Sequence, residues 1–463
     1  MGPIPPITCL GLSGGLVRAR LALACGARRV LGEDLKLMTA AATAPIAYSA
    51  LGQRAQPPTI ARLMALMLEN PKLLSIAAGF TDTRSLPEPA VQAAAAALAA
   101  RPSEPDHLQY GTNQGRPKLR ELLADRLLAL ESVDASADVA VIRANFFITN
   151  GSQQALYLAM QVLCEPGDIV LVDRPSYFVY LEMLVGLGVQ ARSLPVDASG
   201  RTDGPALRVL LGDLRDGGEL ARLKAVYFVS YFSNPSARSL DEEEKNAIAE
   251  ALTGAGAIVP VVEDAAYREL FYTTSHAARS VLSLPAWAAF PKLYLSTLTK
   301  PFATGLKVGY GTCSDAGLMA KMLHVKGHHD FGTANYNQAL LEEVIAHGGL
   351  DTQLAVIRPV YFSKMRALHD ALIAAGLPAL GWRWAVPAGG LYLWLEAPVA
   401  LDTGLDSSFC RACVEAGVLY VPGELCFGDD APKNFVRLSF GVLGEADLAE
   451  AGHRFASVAK RFA

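Results

Sequence analysis

Between residues 145 and 312 the chain alternates short apolar runs with amphipathic stretches, and this alternation constrains the fold more than any other feature. Apolar runs that predict strands lie at 145–149, 168–172, 223–228, 258–262, 292–296 and 308–312. Stretches with helical periodicity lie among them at 152–163, 177–186 and 240–252. Strands that alternate with helices form a parallel or mixed sheet with helices on both faces. We therefore predict an α/β fold with a mostly parallel, doubly wound sheet.

The chain has 463 residues, which is too long for one small core. We predict an N-terminal extension at 1–43, an arm with part of a small domain at 44–100, a large domain at 101–345 and a smaller α+β domain at 346–463. The extension contains several arginines, and its first acidic residue is Glu33. It could be a transit peptide or a disordered extension, or translation could start at Met38. We favour the start at Met38, then disorder.

Charge and cysteine content argue against several classes of protein. A formal net charge of −4 does not favour nucleic acid binding, and every apolar run is shorter than a membrane span of about 18 residues. Seven scattered cysteines predict a reducing cytoplasm rather than a disulfide framework. The pair Cys410 and Cys413 lacks a second pair, so we expect no zinc site. We interpret the group His324, His328, His329 and Asp330 as structural or interfacial.

Polar segments follow four of the predicted strands, at the end where ligands bind in a doubly wound sheet. The segments are 149–154, 233–235, 263–267 and 296–300, and Lys307 follows the last of them. Gly151, Ser152 and Gln153 lie where a helix start would offer free N–H groups to an anion. Lys300 could form a Schiff base with an aldehyde. Taken singly, each segment has a simpler explanation: Ser152 and Asp264 could cap helices, and Asn234 could occupy a turn.

Taken together, these segments and four further motifs resemble the fold-type I pyridoxal-phosphate (PLP) enzymes, specifically the class I/II aminotransferases. The branch of 2-aminoadipate and kynurenine aminotransferases, with the catalytic domains of MocR-type regulators, is the most similar. The resemblance runs from about Ala44 to the C-terminus. The further motifs are QYG with a following Gly and LR at 109–120, DRPSY at 173–177, PAGGLYLW at 387–394 against the family's PxGGxFxW, and VRLSF at 436–440.

The resemblance implies a role for each matching residue. Lys300 would form the aldimine with PLP and shuttle the substrate's Cα proton, and Asp264 would pair with the pyridinium nitrogen. Tyr267 and Asn234 would bind the phenolic oxygen, and Tyr177 would stack on the ring. Arg437 would bind the substrate carboxylate, near Gly79 and the substrate-binding face of Asn234. The phosphate would be held by Gly151, Ser152, Gln153, Thr297, Thr299 and Lys307.

The resemblance also implies a cytoplasmic homodimer, in which Tyr110 reaches the site of the neighbouring subunit. The substrates would be an amino acid and a 2-oxo acid, and glutamate with 2-oxoglutarate is a reasonable expectation for one half-reaction. The same scaffold serves PLP-dependent lyases, which is the alternative function. A non-catalytic ligand-sensing domain is a further alternative, which we disfavour because fewer than 50 residues precede the resemblance and no basic recognition helix is evident.

Two positions depart from the family's pattern. Lys307 stands where the family usually has Arg, and it offers a point charge without the planar fork of a guanidinium. We therefore predict weaker phosphate retention without loss of activity. At 234–237 the chain has NPSA where the family has NPTG. Asn234 is kept, so we expect its contact with the cofactor to be kept.

Overall fold

A computed structural model of the chain describes residues 46–70, 72–101, 105–131 and 137–463. The described residues from 54 to 463 form one compact unit, and residues 46–53 belong to a second. The predicted extension at 1–43 and the alternative start at Met38 lie outside the described residues. The other predicted boundaries, at 100 and 345, stay predictions.

Twelve strands occur in the described residues. In chain order they are β1 (Leu74–Ser75), β2 (Phe146–Asn150), β3 (Ile169–Val172), β4 (Gln190–Ser193), β5 (Leu223–Val229), β6 (Val261–Asp264), β7 (Lys292–Thr297), β8 (Val308–Cys313), β9 (Tyr392–Glu396), β10 (Val418–Leu419), β11 (Val421–Pro422) and β12 (Phe435–Ser439).

Fourteen α-helices occur in the same residues. In chain order they are α1 (Ala50–Arg54), α2 (Thr59–Glu69), α3 (Glu88–Ala99), α4 (Pro117–Glu131), α5 (Ala137–Ala144), α6 (Gly151–Leu163), α7 (Phe178–Leu187), α8 (Gly204–Asp216), α9 (Glu242–Gly254), α10 (Ala316–His329), α11 (Asn335–Ala346), α12 (Gly349–Ala374), α13 (Ser408–Glu415) and α14 (Glu445–Arg461).

The central sheet has seven strands in the order β2-β8-β7-β6-β5-β3-β4. Only β8 runs against its neighbours, because its pairings with β2 and with β7 are antiparallel and the other four pairings are parallel. The predicted mostly parallel α/β sheet is therefore confirmed. Its geometry places the carboxyl ends of β2, β3, β5, β6 and β7 at one edge, together with the start of β8.

Helices cover both faces of this sheet, and the alternation of side chains along a strand explains why. Ala225, Tyr227 and Val229 of β5 join the core that includes α6, α7 and α10. Val226 and Phe228 of the same strand join the core that includes α8 and α9. Because both faces are covered, every residue of β5 except Lys224 is buried. This produces the continuous apolar run seen in the sequence.

Smaller sheets lie in the C-terminal part of the chain. Strands β11, β12 and β9 form an antiparallel sheet, and β12 carries the VRLSF motif. Strand β1 pairs in parallel with β10, which attaches the segment around residue 75 to the C-terminal part. Helix α12 packs on α14 beside these sheets. Among the described helices, none combines the length and apolar character needed to cross a bilayer.

Some elements differ from the sequence prediction. Strand β6 begins at Val261 rather than at Ile258, because Pro260 precedes it and has no N–H to donate to a ladder. Asp264 is consequently the last residue of the strand rather than a residue beyond it. Helix α8 and strand β4 were not predicted. Strand β4 forms one edge of the sheet, and α8 contributes to the core on one of its faces.

Candidate active site

The carboxyl ends of the strands enclose a cavity that contains every predicted cofactor-binding residue. Three residues that were not predicted, Asn150, Val229 and Ala266, also line it. The predicted residues in its lining are Gly151, Ser152, Gln153, Tyr177, Asn234, Asp264, Tyr267, Thr297, Thr299, Lys300 and Lys307. The structure therefore brings together side chains that the sequence separates by more than 150 residues.

The start of helix α6 forms one wall of the cavity. The helix begins at Gly151, and its N-cap residue Asn150 makes no side-chain capping bond. Ser152 lies within the first turn, so the alternative of a simple Ser152 cap is wrong. The first N–H groups of a helix have no partner within it and carry partial positive charge. This wall is therefore suited to an anion such as a phosphate.

A close approach between α6 and β8 fixes this wall. A Cβ atom on Gly309 would lie 2.3 Å from the carbonyl carbon of Gly151 and 2.4 Å from the backbone nitrogen of Ser152. Only glycine allows β8 to pass so near the helix start. Gly151 itself has a φ of 70°, in the left-handed region that favours glycine. Both glycines are required by the geometry of the wall.

Hydroxyl groups and a cation complete the proposed phosphate region. The hydroxyls of Thr297 and Thr299 lie 2.8 Å apart, and the backbone N–H of Thr299 donates to the Thr297 hydroxyl at 3.1 Å. Lys307 lies directly before β8, with a φ of 56°. Its exposed side chain lines the same cavity. The donors and the positive charge are thus grouped around one end of the cavity.

Lys300 lies in the turn after β7, with its amine inside the cavity. Its Nζ donates to the carbonyl oxygen of Gly79 at 2.5 Å. Burial lowers the pKa of Lys300, and the positive charges of Arg437 and Lys307 lower it further, against an opposing effect of Tyr392. A lysine with a lowered pKa holds more of its amine in the neutral, nucleophilic form.

Asp264 ends strand β6 at the bottom of the cavity. Burial raises the pKa of this carboxyl to about 6, although it accepts hydrogen bonds from the N–H of Ala266 at 2.9 Å and from the hydroxyl of Tyr227 at 3.2 Å. Neither donor carries a charge. A buried carboxylate with neutral donors is suited to a cationic partner, which would reverse the shift in its pKa.

Arg437 and Asn234 form a second polar group beside the cavity. Nη1 of Arg437 donates to Oδ1 of Asn234 at 2.8 Å, and Nη2 donates to the carbonyl oxygen of Ala77 at 2.6 Å. The guanidinium carbon lies 4.4 Å from the centre of the Tyr392 ring. Arg437 is buried, and its Nε has no hydrogen-bond partner in the described part of the chain. The alternative of an exposed surface pair is excluded for this arginine.

Two predicted tyrosines face the cavity. Tyr177 donates its hydroxyl to Oε1 of Gln153 at 3.5 Å. The hydroxyl of Tyr267 lies 3.0 Å from that of Tyr392, and both rings are buried. Burial raises the pKa of Tyr267 well above its usual value, so this hydroxyl keeps its proton at neutral pH and can donate it.

The remaining predicted residues lie at different distances from this cavity. Gly79 adjoins it through the carbonyl that Lys300 contacts. Tyr110 lies elsewhere in the chain, 79% exposed, in a groove shared with Asp106, Arg116 and Asn335. The structure therefore does not bring Tyr110 to the cavity of its own chain.

The cysteine pair lies on helix α13, and the three histidines of the second group lie on helix α10. Cys410 and Cys413 are both buried on α13. Asp330 follows the histidines of α10 and accepts hydrogen bonds from the side chains of Asn150 and Gln154, each at 2.8 Å. Asp330 thus supports the start of α6. No group of three or more metal-binding side chains was found among the described residues.

Two residues near the cavity were missed by the sequence analysis. Tyr227 bonds Asp264, but it reads in the sequence as one more apolar residue of β5. Tyr392 bonds Tyr267, and a signal for it did exist, because it stands at the Phe position of the family's PxGGxFxW strand.

The chemistry of this cavity fits pyridoxal phosphate. A phosphate would find helix N–H groups, two hydroxyls and the Lys307 cation at one end, and a protonated pyridine nitrogen would find the uncompensated Asp264 at the bottom. The Lys300 amine faces the same cavity, where an aldehyde could meet it. The hydrogen-bond donors, the Asp264 carboxylate and the Lys300 amine are therefore complementary to the phosphate, the ring nitrogen and the aldehyde of this cofactor.

Comparison with known proteins supports the same assignment. The model of the family "Aminotransferase class I and II" matches residues 72–455. The aromatic-amino-acid aminotransferase 1 of Thermococcus litoralis is 30% identical over 76% of this chain and 80% of its own length. The kynurenine aminotransferase of Pyrococcus horikoshii, solved in complex with PMP, superposes with a TM-score of 0.78 at 26% identity, covering 90% of this chain and 97% of the other.

A further solved structure contains a derivative of the cofactor itself. The α-aminoadipate aminotransferase of Thermus thermophilus, in complex with N-(5'-phosphopyridoxyl)-L-leucine, superposes with a TM-score of 0.74 at 27% identity, covering 89% of this chain and 97% of the other. The family match spans most of the chain, and the fold and cavity agree with it. The chain therefore belongs to the class I and II aminotransferases, enzymes that transfer amino groups with pyridoxal 5'-phosphate as cofactor.

Proposed function

We propose that Lys300 is the residue that bonds the cofactor's aldehyde and moves the substrate's Cα proton in this aminotransferase. The observation that carries the proposal is the presence of the Lys300 amine and the Asp264 carboxylate in one cavity with the start of α6. When bound, pyridoxal phosphate supplies an aldehyde for amines and a ring that withdraws electrons from the substrate's Cα.

The other residues of the cavity hold and orient the reacting groups. Asp264 keeps the ring nitrogen protonated, because the carboxylate and the nitrogen's positive charge stabilise one another. Tyr267 and the Nδ2 of Asn234 donate to the phenolic oxygen. The Oδ1 of Asn234 is engaged by Arg437, which leaves its amide hydrogens free for this task. The ring of Tyr177 limits tilting of the cofactor. The phosphate is held by Gly151, Ser152, Gln153, Thr297, Thr299 and Lys307.

Arg437 binds the carboxylate of the amino acid or the 2-oxo acid. Its planar guanidinium suits a bidentate contact with a carboxylate, and its buried Nε has no partner among the described residues. Gly79 lies beside the same position. The neutral Lys300 amine takes the Cα proton at Nζ and then donates this proton to the atom that accepts it. One group thus acts first as general base and then as general acid.

We further propose that the enzyme is a cytoplasmic homodimer in amino acid metabolism, with Tyr110 contributed to the partner's site. Leu108, Tyr110 and Phe331 are 70%, 79% and 64% exposed, respectively. Exposed apolar side chains this close together favour a protein interface. Five free thiols among the described residues agree with a reducing compartment.

Borohydride reduction of the yellow holoenzyme, followed by peptide mapping, tests the role of Lys300. The cofactor should be fixed on the peptide that carries Lys300, and Lys300→Ala should lose both the visible band and activity. Lys321→Ala, on the exposed face of α10, is the matched control and should retain both. Attachment to another lysine would contradict the proposal.

Single-turnover absorption distinguishes transamination from elimination. An amino acid should bleach the visible band of the holoenzyme, and a 2-oxo acid should restore it. Release of ammonia with a band that no 2-oxo acid restores would instead favour a lyase.

A further inference from the structure

Tyr392 places a second hydroxyl directly behind that of Tyr267. The two hydroxyl oxygens are 3.0 Å apart, and the rings meet edge to face at an interplanar angle of 75°. Tyr392 is 1% exposed and Tyr267 is 6% exposed, so water does not replace this bond easily. Tyr392 opens strand β9, far along the chain from Tyr267.

The surroundings of Tyr392 hold its hydroxyl in this position. The guanidinium of Arg437 lies over its ring. A Cβ atom on Gly79 would lie 2.8 Å from the Tyr392 hydroxyl, so a larger residue at position 79 would require this hydroxyl to shift. The carbonyl of the same Gly79 accepts the hydrogen bond from Lys300. The Tyr392 hydroxyl therefore fits a space between the Lys300 contact and Tyr267.

The number of hydroxyl hydrogens limits how Tyr267 and Tyr392 can bond to one another and to a ligand. A tyrosine hydroxyl has one hydrogen to donate and lone pairs to accept. When the hydrogen of Tyr267 points into the cavity, the bond between the two hydroxyls can form only with Tyr392 as the donor. When Tyr392 is the acceptor, Tyr267 has no hydrogen left for the cofactor. The bond therefore couples the direction of the two protons.

We propose that Tyr392 is a positioning residue that donates to Tyr267 and so directs the single proton of Tyr267 toward the cofactor's phenolic oxygen. The inference rests on the role proposed above for Tyr267. Hydrogen bonds in series strengthen one another in a buried site, so Tyr267 becomes the better donor. The charged and titratable groups that act on this pair are Tyr177, Lys300, Tyr361 and Arg437.

The expected consequence is a change in the proton affinity of the cofactor site. With the cofactor bound, its phenolic oxygen and the nitrogen that joins it to Lys300 would share one proton. A stronger hydrogen bond to the phenolic oxygen lowers the affinity of that oxygen for the shared proton. The nitrogen then loses the proton at a lower pH. Removing the Tyr392 hydroxyl should therefore raise the pH midpoint of the visible band.

The experiment is a pH titration of the visible band in purified holoenzymes. Tyr392→Phe should raise the midpoint by about half a pH unit, in line with the loss of one hydrogen bond, and Tyr267→Phe should raise it further. The double variant should match Tyr267→Phe alone. Tyr272→Phe is the matched control, since its buried hydroxyl donates to the carbonyl of Gly390 instead, and it should leave the midpoint unchanged.

A second variant, at Gly79, tests the same hydrogen bond between Tyr267 and Tyr392. Gly79→Ala should displace the Tyr392 hydroxyl and raise the midpoint in the wild-type background, but it should add nothing to Tyr392→Phe. Because this variant keeps both tyrosines, it tests the position of the hydroxyl rather than its presence.

The outcomes separate this inference from the proposed function. A protein without a visible band overturns both, and an unshifted midpoint in Tyr267→Phe overturns the role of Tyr267 together with the inference. A shift in Tyr267→Phe with none in Tyr392→Phe overturns the inference alone. Equal shifts from Tyr392→Phe in the presence and absence of the Tyr267 hydroxyl also overturn it, because the effect would not pass through Tyr267.

Discussion

At the scale of single residues, burial pushes Asp264 and Lys300 toward their neutral forms. It raises the pKa of Asp264 to about 6 and lowers the pKa of Lys300. Asp173 lies nearby, and burial raises its pKa to about 7, with a further contribution from the charge of Asp264. A ligand with a cationic nitrogen stabilises the ionised Asp264, and a neutral amine is ready to attack an aldehyde. The cavity therefore offers the cofactor a buried carboxylate that lacks a cationic partner and an amine that is ready to react.

Lys307 gives a prediction at this scale. Lys307→Arg should bind pyridoxal phosphate more tightly, by about three- to tenfold, because a planar guanidinium makes two parallel bonds to phosphate where an ammonium acts as a point charge. The left-handed backbone at this position is equally strained for both side chains. Equilibrium dialysis of the apoenzyme against the cofactor measures the effect. Lys321→Arg makes the same exchange on α10 and should leave the affinity unchanged, and equal affinities of Lys307→Arg and wild type would contradict the prediction.

At the scale of elements, the phosphate region depends on the contact between α6 and β8. The hydrogen-bonded register of β2 with β8 pairs Thr149 with Gly309, which brings the start of α6 against β8. Asp330, beyond the end of α10, holds Asn150 and Gln154 from the other side. The free N–H groups of α6 are thus aimed by two neighbouring elements.

Gly309→Ala tests this contact. The added methyl would lie 2.3 Å from backbone atoms that cannot rotate away, so β8 and α6 must separate. We expect the free energy of unfolding to fall by about 2 kcal/mol, as for overpacked cores, and the affinity for pyridoxal phosphate to fall at least about tenfold. Denaturant unfolding and cofactor titration measure the two effects.

The matched control for this prediction is Gly212→Ala on helix α8. In the described part of the chain, nothing beyond the neighbouring residues and the helix's own backbone lies within 4 Å of the added methyl, and alanine is the better helix former. This variant should be at least as stable as wild type, with unchanged cofactor affinity. If Gly309→Ala behaves in the same way, the close approach of β8 to α6 does not shape the phosphate region.

The comparison of elements also shows what the sequence could predict. Apolar runs that stop at polar residues predicted strand ends at 149, 262 and 296, and the observed ends at Asn150, Asp264 and Thr297 lie one or two residues further on. The parallel sheet then gathers those ends at one edge. The hydrogen bond between Tyr267 and Tyr392 joins residues that lie 125 positions apart in the chain, so no local sequence pattern predicts it. Tyr227 was missed because a strand buried on both faces hides the one side chain whose hydroxyl matters.

At the scale of the whole molecule, the segment around residues 74–82 connects the large sheet with the C-terminal sheet beside the cavity. Strand β1 pairs with β10, and the carbonyl of Ala77 accepts from Arg437 of β12. The carbonyl of Gly79 accepts from Lys300 after β7, and Asp82 forms a buried ion pair with Lys364 of α12 at 2.6 Å. The proposed substrate position is therefore surrounded by the large sheet, the C-terminal sheet and this one segment.

The proposed contribution of Tyr110 to the site of a second subunit is tested by mixing two defective variants. Lys300→Ala and Tyr110→Ala homodimers should each be impaired. In a mixed dimer the Tyr110→Ala subunit keeps its own Lys300 and receives Tyr110 from its partner, so one of its two sites is intact. Random exchange of equal amounts should then restore about a quarter of wild-type activity, because half of the dimers are mixed. Lys300→Ala mixed with Lys300→Ala,Tyr110→Ala should restore nothing. Failure of the first mixture, with exchange verified by mass spectrometry, would show that Tyr110 does not serve the partner's site.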